Sequence, residues 1–255
     1  FMHDQNSWLT LTFNNENLPA DNSVNKLDIQ KFVRRLRKKI SPTPVRYFAC
    51  GEYGEVCKNC GLSKGQCAKK GCKKFVETIG RPHYHLCLFG YDFDDKEVFK
   101  YGEIKKYKDR FSRKKGEFTI YTSEELSELW DKGYHSIGDL TFESAAYTAR
   151  YVVKKINGEK EADHYGNKKK EFALMSRMPG LGKSWLEKYF TDVYPKDFFT
   201  INGVKQQPPI YYDYLCKKFK PKMFEEVKKR RLEHQEKNPP EVVTKGSMRG
   251  YGKEK

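Results

Sequence analysis

The segment Arg81-Pro-His-Tyr-His-Leu-Cys-Leu-Phe89 decides the fold, because its apolar second half predicts a buried strand over about residues 84–90. Side chains two apart on a strand point to the same face, so the imidazoles of His83 and His85 can reach one metal ion. A lone His-x-His pair is also typical of a hydrogen-bonded core. Here the pair follows Gly80-Arg-Pro at the mouth of the strand, which favours metal binding.

Apolar periodicity outside this segment predicts the elements around it. Alternation indicates a strand over Trp8–Phe13, a β-rich run indicates a second over Val45–Cys50, and helical spacing indicates a helix over Asn25–Ile40. Strands interleaved with helices predict an α+β fold, with a central antiparallel sheet and flanking helices. Further along we expect a long loop or hairpin over 91–121, a short helix capped by Thr122 and ending near Trp130, a strand over 136–141, a helix over 143–156, a polar mobile segment over 163–170, a charged helix over 221–237 and a disordered end.

Composition favours a polyanionic partner. The chain of 255 residues carries 50 Lys and Arg against 34 Asp and Glu, and 15% of its residues are aromatic. Cations that follow phosphates and rings that stack on bases suit single-stranded nucleic acid, although a basic surface can also serve solubility alone. No apolar run reaches the ~18 residues of a transmembrane helix, and seven cysteines, four of them clustered, favour a reduced compartment.

A second motif, Tyr147-Thr-Ala-Arg-Tyr-Val-Val-Lys-Lys155, lies on the helix predicted over 143–156. Residues four apart on a helix are neighbours, so Tyr147 and Tyr151 share a face. Such a pair alone is typical of core packing, but Lys154 and Lys155 add cations on the same segment. A phenol with a pKa near ~10 needs a metal to polarise its target and a cation to stabilise charge before it attacks a phosphate.

The histidine pair requires a third metal ligand, which we expect to be a carboxylate on the neighbouring strand. Glu52 is the first choice and Glu55 the second. Two imidazoles and a carboxylate, with open positions for a phosphate oxygen, suit Mg²⁺ or Mn²⁺, and Zn²⁺ can bind the same atoms.

Four cysteines lie in an insertion over 56–74, spaced as Cys57-x2-Cys60-x6-Cys67-x4-Cys72. The tight first pair resembles a structural zinc knuckle. The alternative is a reduced, lysine-rich loop.

Taken together, these motifs resemble the replication initiators of small single-stranded DNA phages of the microvirus family, especially its gokushovirus branch, within the HUH endonucleases. The matching segments occur in family order over roughly residues 8–190 and are Leu9-Thr-Leu-Thr-Phe13, Cys50-Gly-Glu-Tyr-Gly54, Gly80-Arg-Pro-His-Tyr-His85, Tyr147-x3-Tyr151-x2-Lys154-Lys155 and Ser176-Arg-Met-Pro-Gly-Leu-Gly182. The resemblance implies a rolling-circle initiator that nicks one strand at the origin, keeps a 5′-phosphotyrosine link and leaves a 3′-OH for a host polymerase. It also implies an HUH endonuclease domain over 1–200, with an RRM-like or ferredoxin-like sheet, and a basic extension over 201–255.

The implied site consists of nucleophiles, cations and metal ligands from separate segments. The expected residues are Tyr147, Tyr151, Lys154 and Lys155 for catalysis, His83, His85 and Glu52 for Mg²⁺ or Mn²⁺, Cys57, Cys60, Cys67 and Cys72 for structural Zn²⁺, and Arg81, Arg150 and Arg177 for DNA binding. The expected partners are single-stranded origin DNA and a host helicase and DNA polymerase. We expect a monomer in the cytoplasm of the bacterial host, with no membrane association.

Three other functions are compatible with parts of this pattern. A relaxase or transposase of the HUH class would use the same residues. A non-catalytic module that binds single-stranded DNA or RNA would use only the basic, aromatic surface, and a Zn²⁺-dependent hydrolase would use His83 and His85 without the tyrosines. The chain begins Phe1-Met2-His3 and lacks the cysteine-containing segment that such initiators commonly carry before the first strand, so we expect a fragment.

Overall fold

The computed structural model of the chain describes residues 2–72, 77–103, 117–154, 156, 158–159, 161–201 and 203–238. Side chains are described throughout these ranges except at 64, 65, 77, 100–103, 117, 118 and 151–154. The chain divides into two compact units, Phe1–Leu181 and Gly182–Lys255. The first unit therefore ends earlier than the domain boundary expected at residue 200, and the functional extent of that domain stays a prediction.

Strands and helices alternate in the described part of the first unit. The strands are β1 (Asn6–Phe13), β2 (Arg46–Cys57), β3 (Glu77–Phe89), β4 (Glu97–Glu103), β5 (Glu117–Thr122), β6 (Gly133–Asp139) and β7 (Phe172–Met175). The helices are α1 (Lys26–Lys39), α2 (Lys64–Lys69), α3 (Glu124–Leu129), α4 (Phe142–Lys154) and α5 (Glu161–Tyr165).

The strands of this unit form an antiparallel sheet in the order β4-β5-β6-β1-β3-β2-β7. Its centre runs β1-α1-β2-β3-α3-β6 along the chain, with strand order β6-β1-β3-β2 in space. This is the ferredoxin-like split βαβ arrangement. The predicted α+β fold with a central antiparallel sheet and a cysteine-rich insertion is confirmed.

Alternation along β1 assigns one face of the sheet to the core. Leu9, Leu11 and Phe13 are fully buried, while Trp8, Thr10 and the other alternate residues are only partly buried. Burying each large apolar side chain stabilises the fold by about 1.5–3 kcal/mol. The helices α1 and α3 cover this face through the buried residues Ile29, Phe32, Val33, Leu36, Leu126 and Leu129. The opposite face of β1 is therefore left for other contacts.

The first helix begins where the sequence predicts. The side chain of Asn25 caps α1 by accepting a hydrogen bond from the backbone N–H of Leu27 at 3.0 Å. Its last turn carries Arg37, Lys38 and Lys39, cations that suit the negative end of a helix dipole.

The second unit has its own small core. Its elements are α6 (Lys183–Lys188), α7 (Phe190–Val193), β8 (Phe199–Ile201), β9 (Val204–Gln206), α8 (Ile210–Phe219) and α9 (Pro221–Lys237). The guanidinium of Arg231 donates to the carboxylates of Asp197 and Asp213 at 2.5–2.9 Å, which ties α8 and α9 to the loop before β8. The core residues are Leu186, Val193, Tyr194, Leu215, Cys216 and Val227. Within the described residues, no helix combines the length and apolarity needed to cross a membrane.

Several predicted boundaries change. The histidine strand begins at Glu77 rather than near residue 84, because the insertion ends directly in β3. Ser123, not Thr122, caps α3, since its hydroxyl accepts from the backbone N–H of Leu126. The segment 163–170 was predicted to be irregular, yet its start lies in α5, where the Tyr165 side chain is buried. The region 91–121 is a hairpin in its described part, the charged helix over 221–237 is confirmed, and the end predicted to be disordered lies outside the described residues.

Candidate active site

The antiparallel register brings the predicted metal ligands together. Glu52 on β2 lies directly opposite His83 on β3, and Cys50, two residues earlier on β2, lies opposite His85. Side chains two apart share a face, so all three predicted ligands project from the same face of the sheet. On the other side of β3, Thr10 of β1 pairs with His85.

One carboxylate oxygen lies between the two imidazoles. Glu52 Oε1 is 2.5 Å from His83 Nε2 and 3.0 Å from His85 Nε2. Glu52 is 3% exposed, and its second oxygen, Oε2, is buried without a hydrogen-bond partner among the described residues. A buried carboxylate oxygen without a partner is unfavourable unless something else satisfies it. The three donors therefore form a group that can hold a metal ion.

Each imidazole is oriented from behind through its other nitrogen. His83 Nδ1 lies 3.3 Å from the carbonyl oxygen of Arg81, and His85 Nδ1 lies 3.0 Å from Thr10 Oγ1. A carbonyl oxygen only accepts, so His83 donates from Nδ1 and its Nε2 is the nitrogen that a metal can use. Such outer hydrogen bonds fix ring orientation and tautomer in metal sites.

The electrostatics keep the ligands in the protonation states that metal binding needs. Burial opposes ionisation of Glu52, but hydrogen bonds from His83 and His85 outweigh it and lower the pKa of this carboxyl below its usual value. Burial also lowers the pKa of His85, against the opposing effect of Glu52. A charged carboxylate and a neutral imidazole are the forms that bind divalent metals.

Tyr147 lies beside this group because Trp8 anchors α4 to the sheet. The indole of Trp8 stacks on the ring of His85, with centroids 5.1 Å apart and an interplanar angle of 7°. Its Nε1 donates to Thr148 Oγ1 at 2.9 Å, and Thr148 is fully buried. The Tyr147 ring meets Trp8 edge-on at 6.0 Å and His85 edge-on at 5.6 Å. The helix thus holds a phenol next to the histidine pair.

The remaining predicted catalytic residues are only partly described. Tyr151 and Lys154 belong to α4, but their side chains lie outside the described residues, as does Lys155 entirely. Their catalytic roles stay predictions.

The predicted DNA-binding arginines have different surroundings. The guanidinium of Arg81 donates to the carbonyl of Phe13 at 2.7 Å and to Asn15 Oδ1 at 2.5 Å, so it ties β3 to the loop after β1. Arg150 on α4 and Arg177 after β7 are exposed. Contact of any of the three with DNA stays a prediction.

The second-choice ligand, Glu55, does not belong to the three-donor group. It lies beyond a bulge between Tyr53 and Glu55, pairs with Ile79 and is exposed. The bulge changes the register of β2, so a carboxylate only three residues from Glu52 is directed elsewhere.

The four predicted zinc ligands do come together. Each of the thiols of Cys57, Cys60, Cys67 and Cys72 offers a sulfur within 4.8 Å of the others. Sequence reasoning did not identify Trp8 and Thr148 as site residues. The alternation of β1 places Trp8 opposite the apolar face, and only the pairing of β1 with β3 would have revealed that it meets His85.

Comparison with known proteins agrees with the motifs. The model of the replication-associated protein ORF2 family matches residues 6–60. The replication-associated protein VP4 of Bdellovibrio phage phiMH2K is 29% identical over 233 residues, which is 88% of this chain and 62% of that protein. The replication-associated protein ORF2 of Spiroplasma virus 4 is 30% identical over 224 residues, 82% of this chain and 57% of that protein. The chain is a homologue of phage replication-associated proteins.

A third relative, the replication-associated protein ORF4 of Chlamydia phage 1, is 26% identical over 220 residues, 85% of this chain and 47% of that protein. The chain thus spans about half to three fifths of the length of these curated relatives. No solved structure matches it. The family resemblance inferred from the motifs is confirmed.

Proposed function

We propose that this homologue of phage replication-associated proteins is a rolling-circle replication initiator that nicks and rejoins single-stranded DNA at the phage origin. The observation that carries the proposal is the position of Tyr147, whose ring lies 5.6 Å from that of His85 beside the three-donor group. A phenol held next to a divalent-metal site is the arrangement that phosphoryl transfer to tyrosine requires.

In this proposal Glu52, His83 and His85 hold Mg²⁺ or Mn²⁺. The donor set of two imidazoles and one carboxylate fits such an ion, and the buried Oε2 of Glu52 offers it a further ligand atom. When bound, the ion polarises the scissile phosphate and stabilises its developing charge.

The chain's own residues then perform the transfer. The phenolic oxygen of Tyr147 or Tyr151 forms a bond to phosphorus, and the bond from phosphorus to the 3′ oxygen of the preceding nucleotide breaks. The phenolic proton is lost and the leaving oxygen gains a proton, which yields a 5′-phosphotyrosine and a free 3′-OH. Lys154 and Lys155 supply positive charge beside the reacting phosphate. Rejoining is the same exchange in reverse.

Two tyrosines on one helix suit a reaction that must cut twice. The first is occupied by covalent DNA when the second cut is due, so the second phenol attacks while the first becomes the leaving group. Arg81, Arg150 and Arg177 and the net charge of +16 hold the strand. The enzyme would act in the cytoplasm of the bacterial host as a monomer, with a host helicase to open the duplex and a host polymerase to extend the 3′-OH.

The test uses a library of origin-bearing oligonucleotides, labelled at either the 3′ or the 5′ end, incubated with Mn²⁺ and separated on a denaturing gel. The proposal predicts a protein band that carries the 3′ label and a shorter free fragment that carries the 5′ label. A binding module would give neither product, and a metal-dependent hydrolase would give two free fragments without a protein band.

The histidine variants separate chemistry from affinity. His83→Ala should abolish nicking while it leaves single-strand binding mostly intact, because the metal serves the chemistry and the basic surface serves affinity. Undiminished nicking by His83→Ala or His85→Ala would refute the ligand assignment.

A further inference from the structure

A second group of metal donors lies at the far end of the β2–β3 hairpin. Cys57 is the last residue of β2, Cys67 lies in α2, and Cys60 and Cys72 lie in the turns on either side. Their sulfurs approach one another within 4.8 Å, and those of Cys57 and Cys72 are 4.0 Å apart. A disulfide requires about 2.05 Å, so this spacing is that of neighbouring thiols.

The spacing of the sulfurs fits a tetrahedral thiolate site. Zn–S bonds of about 2.3 Å place the four sulfurs of such a site about 3.8 Å apart. The distance between Cys57 and Cys72 is already close to this value, and the rest of the group lies within 4.8 Å. Small rotations of the side chains would close the remaining gap.

Glycines shape the turns that gather these thiols. Gly61 follows Cys60 with φ +69°, and its N–H donates to the carbonyl of Cys57 at 2.7 Å. Gly71 precedes Cys72 with φ +76° after the end of α2. An added Cβ at either glycine would meet nothing within 4 Å, so the left-handed backbone rather than crowding favours glycine here.

The charges around the group also suit a bound cation with four thiolates. Four thiolates and one divalent ion leave a net charge of −2. Lys58, Lys69 and Lys70 are exposed within the same insertion and offset this charge.

We propose that Cys57, Cys60, Cys67 and Cys72 bind one structural Zn²⁺ that clamps the tip of the β2–β3 hairpin. Four protein thiolates leave no open position for a substrate, which is the mark of a structural site. Cys57 lies five residues beyond Glu52, about 17 Å along the strand. The zinc therefore fixes the strands that carry the catalytic donors without contacting those donors.

The first test is elemental analysis and native mass spectrometry of the chain purified without chelator under reducing conditions. The wild type should hold about one zinc per chain, and the double variant Cys57→Ser/Cys60→Ser should lose it. His83→Ala and Cys216→Ala, which alter the other donor group and a cysteine elsewhere, should keep it. A wild type without zinc, or one that holds iron instead, would overturn the proposal. So would a double variant that keeps its zinc, or a zinc content that falls only in His83→Ala.

A second measurement keeps the test decisive if the double variant folds poorly. Cobalt exchanged into the wild-type chain should give the charge-transfer band of Co²⁺–thiolate bonds and the intense visible bands of a tetrahedral site. Removal of metal by a chelator should also speed tryptic cleavage after Lys58, Lys69 and Lys70 at least several-fold, and added zinc should reverse it. A cobalt spectrum without thiolate bands, or cleavage that ignores the chelator, would contradict the proposal. Both readouts are independent of DNA cleavage, so this proposal and the proposed function can fail separately.

Discussion

Replacing Glu52 by Gln tests the metal site most selectively, because the change keeps the shape of the side chain and removes its charge. Loss of a mere outer partner of a metal ligand typically weakens metal binding 10–100-fold, and loss of a charged ligand should do at least as much. At metal concentrations well above the dissociation constants, this corresponds to about 1.4–2.8 kcal/mol less metal-induced stabilisation. For a unit of this size the Mn²⁺-induced rise in Tm should shrink by about 3–11 °C.

The assay is thermal unfolding of the full chain across a Mn²⁺ titration, with the concentration needed for DNA cleavage measured in parallel. Glu55→Gln is the matched control, since Glu55 lies on the same strand but is exposed and outside the donor group. Its Tm shift should equal that of the wild type. If Glu55→Gln loses the metal response while Glu52→Gln keeps it, the assignment of the third ligand is wrong.

Three further predictions concern the supports of the site and the fold. Thr148→Val removes the acceptor of the Trp8 indole N–H, so it should lower the free energy of unfolding by about 1–3 kcal/mol and slow covalent adduct formation, whereas Thr148→Ser should keep the rate; equal rates for both variants would exclude the anchoring role. Burial opposes ionisation of Asp213, but hydrogen bonds from Arg231 outweigh it and lower its pKa. The resulting stabilisation should be complete above the unfolded pKa of ~3.9 and lost as pH falls through the lower folded pKa, so the Tm deficit of Asp213→Asn at pH 7 should vanish in acid, and a deficit that persists there would count against the ion pair. Gly133→Ala should cost more than about 1 kcal/mol in denaturant unfolding, because φ is +148° and the new Cβ would meet a backbone nitrogen at 2.2 Å; an unchanged midpoint would contradict the geometry.

Local patterns in the sequence predict the elements whose periodicity is strong. The helix spacing that ends with Leu36, the Asn25 cap and the alternation of β1 each depend on neighbouring residues alone, and the structure confirms them. The charged helix over 221–237 is confirmed for the same reason. Choices between adjacent hydroxyls, such as Thr122 and Ser123 as the cap of α3, depend on backbone angles that composition does not determine.

Contacts between strands are harder to predict, because they depend on register. The choice between Glu52 and Glu55 is decided by the bulge after Tyr53, which changes how the end of β2 pairs with β3. The stacking of Trp8 on His85 likewise follows from the pairing of β1 with β3, which brings together residues far apart in the chain. No local pattern carries this information.

The central claim is that tyrosines of α4 form the covalent link to DNA, and variants of these residues test it most directly. The measurement is the yield of the 3′-labelled protein–DNA band with Mn²⁺ for Tyr147→Phe, Tyr151→Phe and the double variant, with His83→Ala as the control without a complete metal site. Each single variant should retain some adduct, while the double variant and His83→Ala should form none, and circularisation of the displaced strand should need both phenols. An adduct of wild-type yield in the double variant would contradict the account, and circularisation at the wild-type rate by either single variant would contradict the alternation of the two nucleophiles.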